Sequence, residues 1–210
     1  MRLHWLEKWA MNTSPRAWAQ RRYEAPRVFA SVQLPLGATC LEIGCGRGVG
    51  ALLISQSFPG CRVVATDYDP DMIGRARDHL GDPPPWAKGA QTQYITLGIA
   101  DATALPFPDG SVHAVFAFGI LHHIQSWPQA VREVHRVLKP GGVFSCDEFF
   151  LDSPLLRAHL ALAERFDIHP YAIIGERQFK HVLQEAGFVL DSYQRWGGLP
   201  VGCFVVARKN

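Results

Sequence analysis

Between residues 39 and 149, short apolar runs alternate with helical patterns, and this alternation restricts the fold of the 210-residue chain more than any other feature. Thr39–Ile43, Arg62–Asp67, Tyr94–Gly98, Val112–Phe118 and Val143–Phe149 read as strands. Val49–Ser57, Pro70–Leu80 and Trp127–Leu138 read as helices, the last stopping at Pro140-Gly141-Gly142. Alternation of this kind gives a mostly parallel sheet covered on both faces. The tail breaks the pattern. Ser153–Phe166 and Glu176–Glu185 look helical, but Val189–Tyr193 and Cys203–Ala207 follow with no helix between them. Two such strands form a hairpin, so this end of the sheet is expected to be antiparallel. The expected fold is α/β: a Rossmann-like, seven-stranded, mostly parallel sheet with a C-terminal antiparallel hairpin and an N-terminal helical cap.

The cap covers residues 1–36. Pro15–Glu24 is expected to be helical, with Ser14 as N-cap, and Pro26 is expected to open a second short helix towards Val32. Residues 37–210 form the main domain, and 151–180 a cover over its site. The net charge of +2 gives no support to a nucleic-acid partner. Five cysteines without a C-x-x-C pair, each beside an apolar run, read as buried free thiols of a reducing compartment. With no apolar h-region at the N-terminus and no spanning stretch, a cytoplasmic location is the expectation. Nothing in the sequence specifies an oligomer.

The stretch Leu41-Glu42-Ile43-Gly44-Cys45-Gly46-Arg47-Gly48-Val49-Gly50 is strand, glycine turn and helix start. Its glycines let a ligand approach the backbone, and the helix N-terminus offers N–H donors. A dinucleotide loop or a plain turn satisfies the same pattern. Asp67 narrows the choice, because it ends the second strand where a carboxylate can accept ribose hydroxyls. The alternative role for Asp67, capping the next helix, is better filled by Asp69 directly before Pro70.

These blocks resemble the class I methyltransferases that use S-adenosylmethionine (SAM), and specifically the branch of the ubiquinone and menaquinone biosynthesis methyltransferases. Leu41–Gly50, Ala65–Arg77, Asp101–Val115 and Phe118–Gly142 carry the resemblance, in the family's order. It implies transfer of a methyl group from SAM to a small lipophilic or aromatic acceptor. By the resemblance, Glu42, Gly44, Cys45 and Gly46 meet the methionine end of the cofactor, and Asp67 binds the ribose. Tyr68 and Met72 flank the adenine, Asp101 and the Ala102 N–H read its edge, and Phe118 and Gly119 line the floor near the sulfonium. The residue types suit the ligand: a sulfonium, an ammonium and two ribose hydroxyls call for acidic acceptors, whereas a pyrophosphate calls for open backbone donors. That contrast argues against an NAD-dependent oxidoreductase. A SAM-binding protein without turnover is the other alternative.

His122, His123, Glu148 and His169 are candidates for a general base, and Tyr171 lies near them in sequence. The two adjacent histidines equally suit a loop-shaping role, and the spacing of the four is not that of a metal site. The N-terminus carries Trp5, Trp9, Trp18 and Tyr23 among Arg2, Lys8, Arg16, Arg21, Arg22 and Arg27. It packs on the sheet, closes over the acceptor, or touches a membrane surface.

Overall fold

The computed structural model describes residues 13–150, 172, 174–197 and 201–210. Among these, β1 (Thr39–Ile43), β2 (Arg62–Asp67), β3 (Ile95–Ile99), β4 (Val112–Phe118), β5 (Leu138–Phe150), β6 (Phe188–Trp196) and β7 (Val201–Lys209) form one sheet in the order β3-β2-β1-β4-β5-β7-β6. Strands β1 to β5 are parallel, and β7 runs antiparallel to both β5 and β6. The expected sheet and hairpin are therefore present. The order reverses at β1, whose neighbours are β2 and β4, so a crevice opens beyond the C-terminal ends of these strands.

The core lies on both faces of the sheet. Along β4, Val112, Val115 and Ala117 pack on one side, while Ala114, Phe116 and Phe118 pack on the other. The period of two serves both faces, so the strand reads as continuously apolar. The first face is covered by α5 (Trp127–Val137) and α6 (Glu176–Glu185), through Val131, Val134, Phe179 and Leu183. The second is covered by α3 (Val49–Ser57), whose residues are buried from Val49 to Ser55, and by the N-terminal helices. The five cysteines are free and buried. No helix among the described residues is long and apolar enough to cross a membrane.

Three local expectations need correction. Pro26 does not open a separate helix. The N-terminal segment runs without a break through α1 (Ser14–Ala19), a π-helical turn (Gln20–Glu24) and α2 (Ala25–Val28). Pro26 lacks an N–H, and its ring would strike the carbonyl four residues earlier. The wider turn, in which Ala25 N–H reaches Gln20 C=O, accommodates both problems. Thr13 rather than Ser14 caps this helix, accepting the Arg16 N–H. At the other site, Leu138 belongs to β5 and not to α5. It is buried in an extended conformation and pairs with Val112; the ladder then shifts and resumes at Val143 opposite Ala114. The Pro140-Gly141-Gly142 segment occupies this irregularity. Lys209 closes the end of α5 by donating to the carbonyls of His135 and Leu138. The expected helix at Ser153–Phe166 lies outside the described residues.

Candidate cofactor and active site

The glycine loop leaves β1 with Gly44 at φ 68°, and a Cβ there would sit 2.2 Å from Ile120. The loop is fastened to the next strand by two bonds: Cys45 N–H donates to Thr66 C=O (2.9 Å) and Gly46 N–H to Asp67 Oδ2 (2.8 Å). Gly50, in the first turn of α3, has a different reason to be glycine. A Cβ on it would lie 1.9 Å from Glu42 Oε1 and 3.0 Å from the Phe118 ring. This space lets the fully buried Glu42 carboxylate lie against the helix start, where the Ala51 N–H serves it. Its Oε2 has no partner among the described residues. Burial, and then the charge of Asp67, push the Glu42 carboxyl well above the ordinary glutamate range.

Asp67 accepts on its other oxygen from Asp69 N–H (2.9 Å), and its carboxyl is also raised, chiefly by burial. The helix α4 (Pro70–Gly81) is capped by Asp69, which accepts from Asp71 N–H (3.0 Å). Asp67 is thus not the cap. Asp101 uses one oxygen for the N–H and hydroxyl of Thr103 (2.8 and 2.7 Å). The loop carrying it is braced from α5: Glu133 Oε2 accepts Leu105 N–H, while Arg136 binds Glu133, the carbonyls of Leu105 and Phe107, and Asp109. Glu133 and Arg136, within the block Phe118–Gly142, therefore hold the loop that follows Asp101 in place.

Two adjoining cavities lie along the strand ends and share Gly44, Asp67, Ile120 and His123. Glu42, Cys45, Gly46, Met72, Phe118 and Gly119 line the first. Tyr68, Asp101 and Ala102 line the second. All the residues expected to hold the cofactor are thereby brought into one groove. Arg16 and Arg47 also line the first cavity, and sequence reasoning had assigned neither to it. No spacing signal marks Arg16, since its neighbours in the site come from distant strands.

Glu148 and the two histidines separate into distinct roles. Glu148, on β5, is fully buried and accepts from Leu121 N–H on Oε2 (2.8 Å) and from Phe149 N–H on Oε1 (2.8 Å). Oε1 also bonds His122 Nδ1. The His122 ring lies tilted by 40° against that of His123, their centroids 4.1 Å apart, and its carbonyl accepts Ala172 N–H (2.8 Å). His123 lines both cavities, and burial, followed by the charge of His122, pulls its pKa down to about 3. His169 and Tyr171 lie outside the described residues.

Residues 41–146 match a family described as the methyltransferase domain. The chain belongs to the class I SAM-dependent methyltransferases. A demethylmenaquinone methyltransferase of Thermus thermophilus is 37% identical over 110 residues, 52% of this chain and 46% of the relative. The enzyme of the same name from Symbiobacterium thermophilum is 29% identical over 184 residues, 75% of this chain and 71% of the relative. Several curated relatives are longer proteins, of which this chain spans less than half. A phosphoethanolamine N-methyltransferase of Haemonchus contortus, solved with SAM, superposes with a TM-score of 0.71 at 16% identity, over 95% of this chain and 58% of that one. The groove suits the family's cofactor: the buried, unpartnered Oε2 of Glu42 asks for a cationic or N–H donor, and the ammonium of SAM is one.

Proposed function

We propose that this protein transfers the methyl group of SAM to a small lipophilic or aromatic acceptor. The observation that carries this reading is the convergence of Glu42, Asp67 and Asp101 on one groove at the point where the strand order reverses. Glu42 takes the ammonium of the cofactor, Asp67 its ribose hydroxyls and Asp101 the adenine edge, with Met72 and Tyr68 flanking the ring. The cofactor supplies an already activated methyl group. What remains for the chain is to align the acceptor in a dry pocket and, where the acceptor must lose a proton, to take it. Phe118 and Gly119 form the floor. The neutral His123 beside them places no positive charge next to the sulfonium.

The N-terminal helices and residues 151–180 are the covers of the acceptor side, and the relatives named for demethylmenaquinone support a lipophilic acceptor. His122, paired through Nδ1 with Glu148 and next in the chain to the groove-lining His123, is the residue we assign as base, with Glu148 as its positioning residue. Calorimetric titration of SAM, S-adenosylhomocysteine and NAD into wild type and Asp67→Ala tests the cofactor half. Selective binding of the two sulfur ligands, weakened about 10- to 100-fold by the substitution, is expected for a carboxylate that bonds both ribose hydroxyls. Binding of NAD instead overturns the proposal.

A second part of the reading rests on the outer face of the N-terminal helices. Trp18 and Tyr23 are about half exposed there, with ring centroids 5.4 Å apart, and Arg22 and Arg27 are exposed beside them. Apolar rings set among cations suit an anionic membrane surface. Sedimentation with vesicles rich in phosphatidylglycerol is expected to pull down the protein, and Arg22→Glu/Arg27→Glu to abolish this. Equal behaviour with neutral phosphatidylcholine vesicles overturns the membrane contact.

A further inference from the structure

The methionine end of SAM is a zwitterion, and the assignments above account for only its positive charge. Arg16, on the cap helix, lines the same cavity as Glu42. We propose that Arg16 binds the α-carboxylate of the cofactor, so that the N-terminal helix is part of the cofactor site rather than a cover over the acceptor alone. The inference rests on the cofactor reading and adds a residue from outside the family blocks.

The guanidinium is held ready for this role. Its Nη1 donates to both oxygens of Glu24, at 2.7 and 2.8 Å, and the side chain is mostly buried. Its Nη2 makes no hydrogen bond among the described residues. This nitrogen stands over the end of β4, 3.8 Å from where a Cβ on Gly119 would be. A planar fork with one side fixed on a carboxylate and the other towards a cavity can take a second carboxylate without ordering a long side chain. Asp147 Oδ2 is also 3.8 Å from that Cβ position, and Asp147 is buried with Oδ1 unpartnered among the described residues. Burial, then the charge of Glu24, push its carboxyl up, which favours the neutral form and spares Arg16 a second full negative charge.

The other cation of the cavity is differently engaged. Arg47 Nη2 donates to the Thr13 carbonyl (2.9 Å), tying the glycine loop to the start of the cap helix. The zwitterion then completes what Arg47 begins. Its ammonium would be held by Glu42 and its carboxylate by Arg16, which line the same cavity, so both ends of the amino acid would tie the cap helix to the glycine loop. An adenosine lacking the amino acid cannot do this.

Calorimetry on the full chain tests the assignment with three ligands: S-adenosylhomocysteine, its decarboxylated analogue S-adenosyl-3-thiopropylamine, and methylthioadenosine. Wild type is expected to prefer S-adenosylhomocysteine over the decarboxylated analogue by about 10- to 100-fold, the range for loss of one charge-assisted pair. Arg16→Gln is expected to remove this preference while leaving methylthioadenosine affinity unchanged, and Arg16→Lys to keep part of it. Equal affinities in wild type, uniform weakening of all three ligands by Arg16→Gln, or loss of the preference in Arg47→Gln instead, each overturn the proposal. If Arg16→Gln fails to fold, the wild-type and Arg47→Gln ratios still decide. Absence of binding by any adenosyl ligand in wild type is a separate result, which removes the cofactor reading itself.

Discussion

Glutamine in place of Glu42 is expected to weaken SAM binding about 100-fold while leaving the ligand-free protein as stable as before, or more so. A buried charge facing a cationic ligand typically contributes about 2–5 kcal/mol when its partner is removed. The same carboxylate has an oxygen with no partner among the described residues of the ligand-free fold, so its removal relieves a desolvated acid there. The opposite signs on binding and folding mark a residue kept for its ligand. Alanine at Gly50 gives the same binding loss by another route, because its Cβ would occupy the place of Glu42 Oε1. The pH dependence also has two signs. Burial raises the folded pKa of Glu42 above its unfolded value, so the folded state binds the extra proton. Its contribution therefore lowers ligand-free stability as pH rises from the ordinary glutamate range through the raised value. Affinity for the cation rises over the same window, because the bound form needs the carboxylate. Asp67, raised in the same sense, adds to both trends. Calorimetry in buffers of different ionisation enthalpy is expected to show proton release on SAM binding, diminished in Glu42→Gln. Proton uptake, or unchanged affinity in the variant, excludes this role for Glu42.

How much of this was legible depends on how local each cause is. The strand Val112–Phe118 and the loop Leu41–Gly50 could be read because period, glycine turn and helix start lie within a few residues of one another. The choice between Asp67 and Asp69 as cap was likewise local: an Asp before a helix-initiating Pro reaches the next turn's N–H. The π-helical turn before Pro26 was not legible, because a proline that normally ends a helix can be accommodated by a wider turn when both sides pack on the sheet. Leu138 was assigned to the helix on its period, but its pairing with Val112 decided the matter. Glu133 and Arg136 fall within the block Phe118–Gly142, yet their role is not legible there, since they bind backbone carbonyls and an N–H of a loop that sequence order places elsewhere. In the sequence Arg16 is one of six cations among the first 27 residues. Its place in the cavity depends on how the cap helix meets β4 and β5, which no local pattern encodes.

Asparagine at His122 is expected to reduce turnover by about 100- to 10,000-fold with an acceptor that must lose a proton, the usual range for a general base, while SAM affinity changes little. The two adjacent histidines differ in surroundings, and the proposed assignment rests on that difference. His123, with its pKa drawn down to about 3, faces the groove but cannot hold a proton at neutral pH. His122 has a carboxylate on Nδ1, which fixes the tautomer with Nε2 as the acceptor and faces the ring when it becomes charged. Two backbone N–H groups, from Leu121 and Phe149, donate to that carboxylate from the other sides and hold it in place. Glu148→Gln keeps the shape but can donate where it previously accepted, so it sets the wrong tautomer or breaks the pair. Its turnover is expected to fall with that of His122→Asn, and the double variant to be little worse than either single one, since the two residues act as a unit. With a hydroquinone acceptor, the loss in both variants is expected to shrink as pH rises and the acceptor ionises by itself. A merely structural pair predicts a loss that does not depend on pH and is accompanied by weaker SAM binding. That outcome would leave His122 and Glu148 as braces for the Leu121–His123 turn and return the choice of base to the acceptor side.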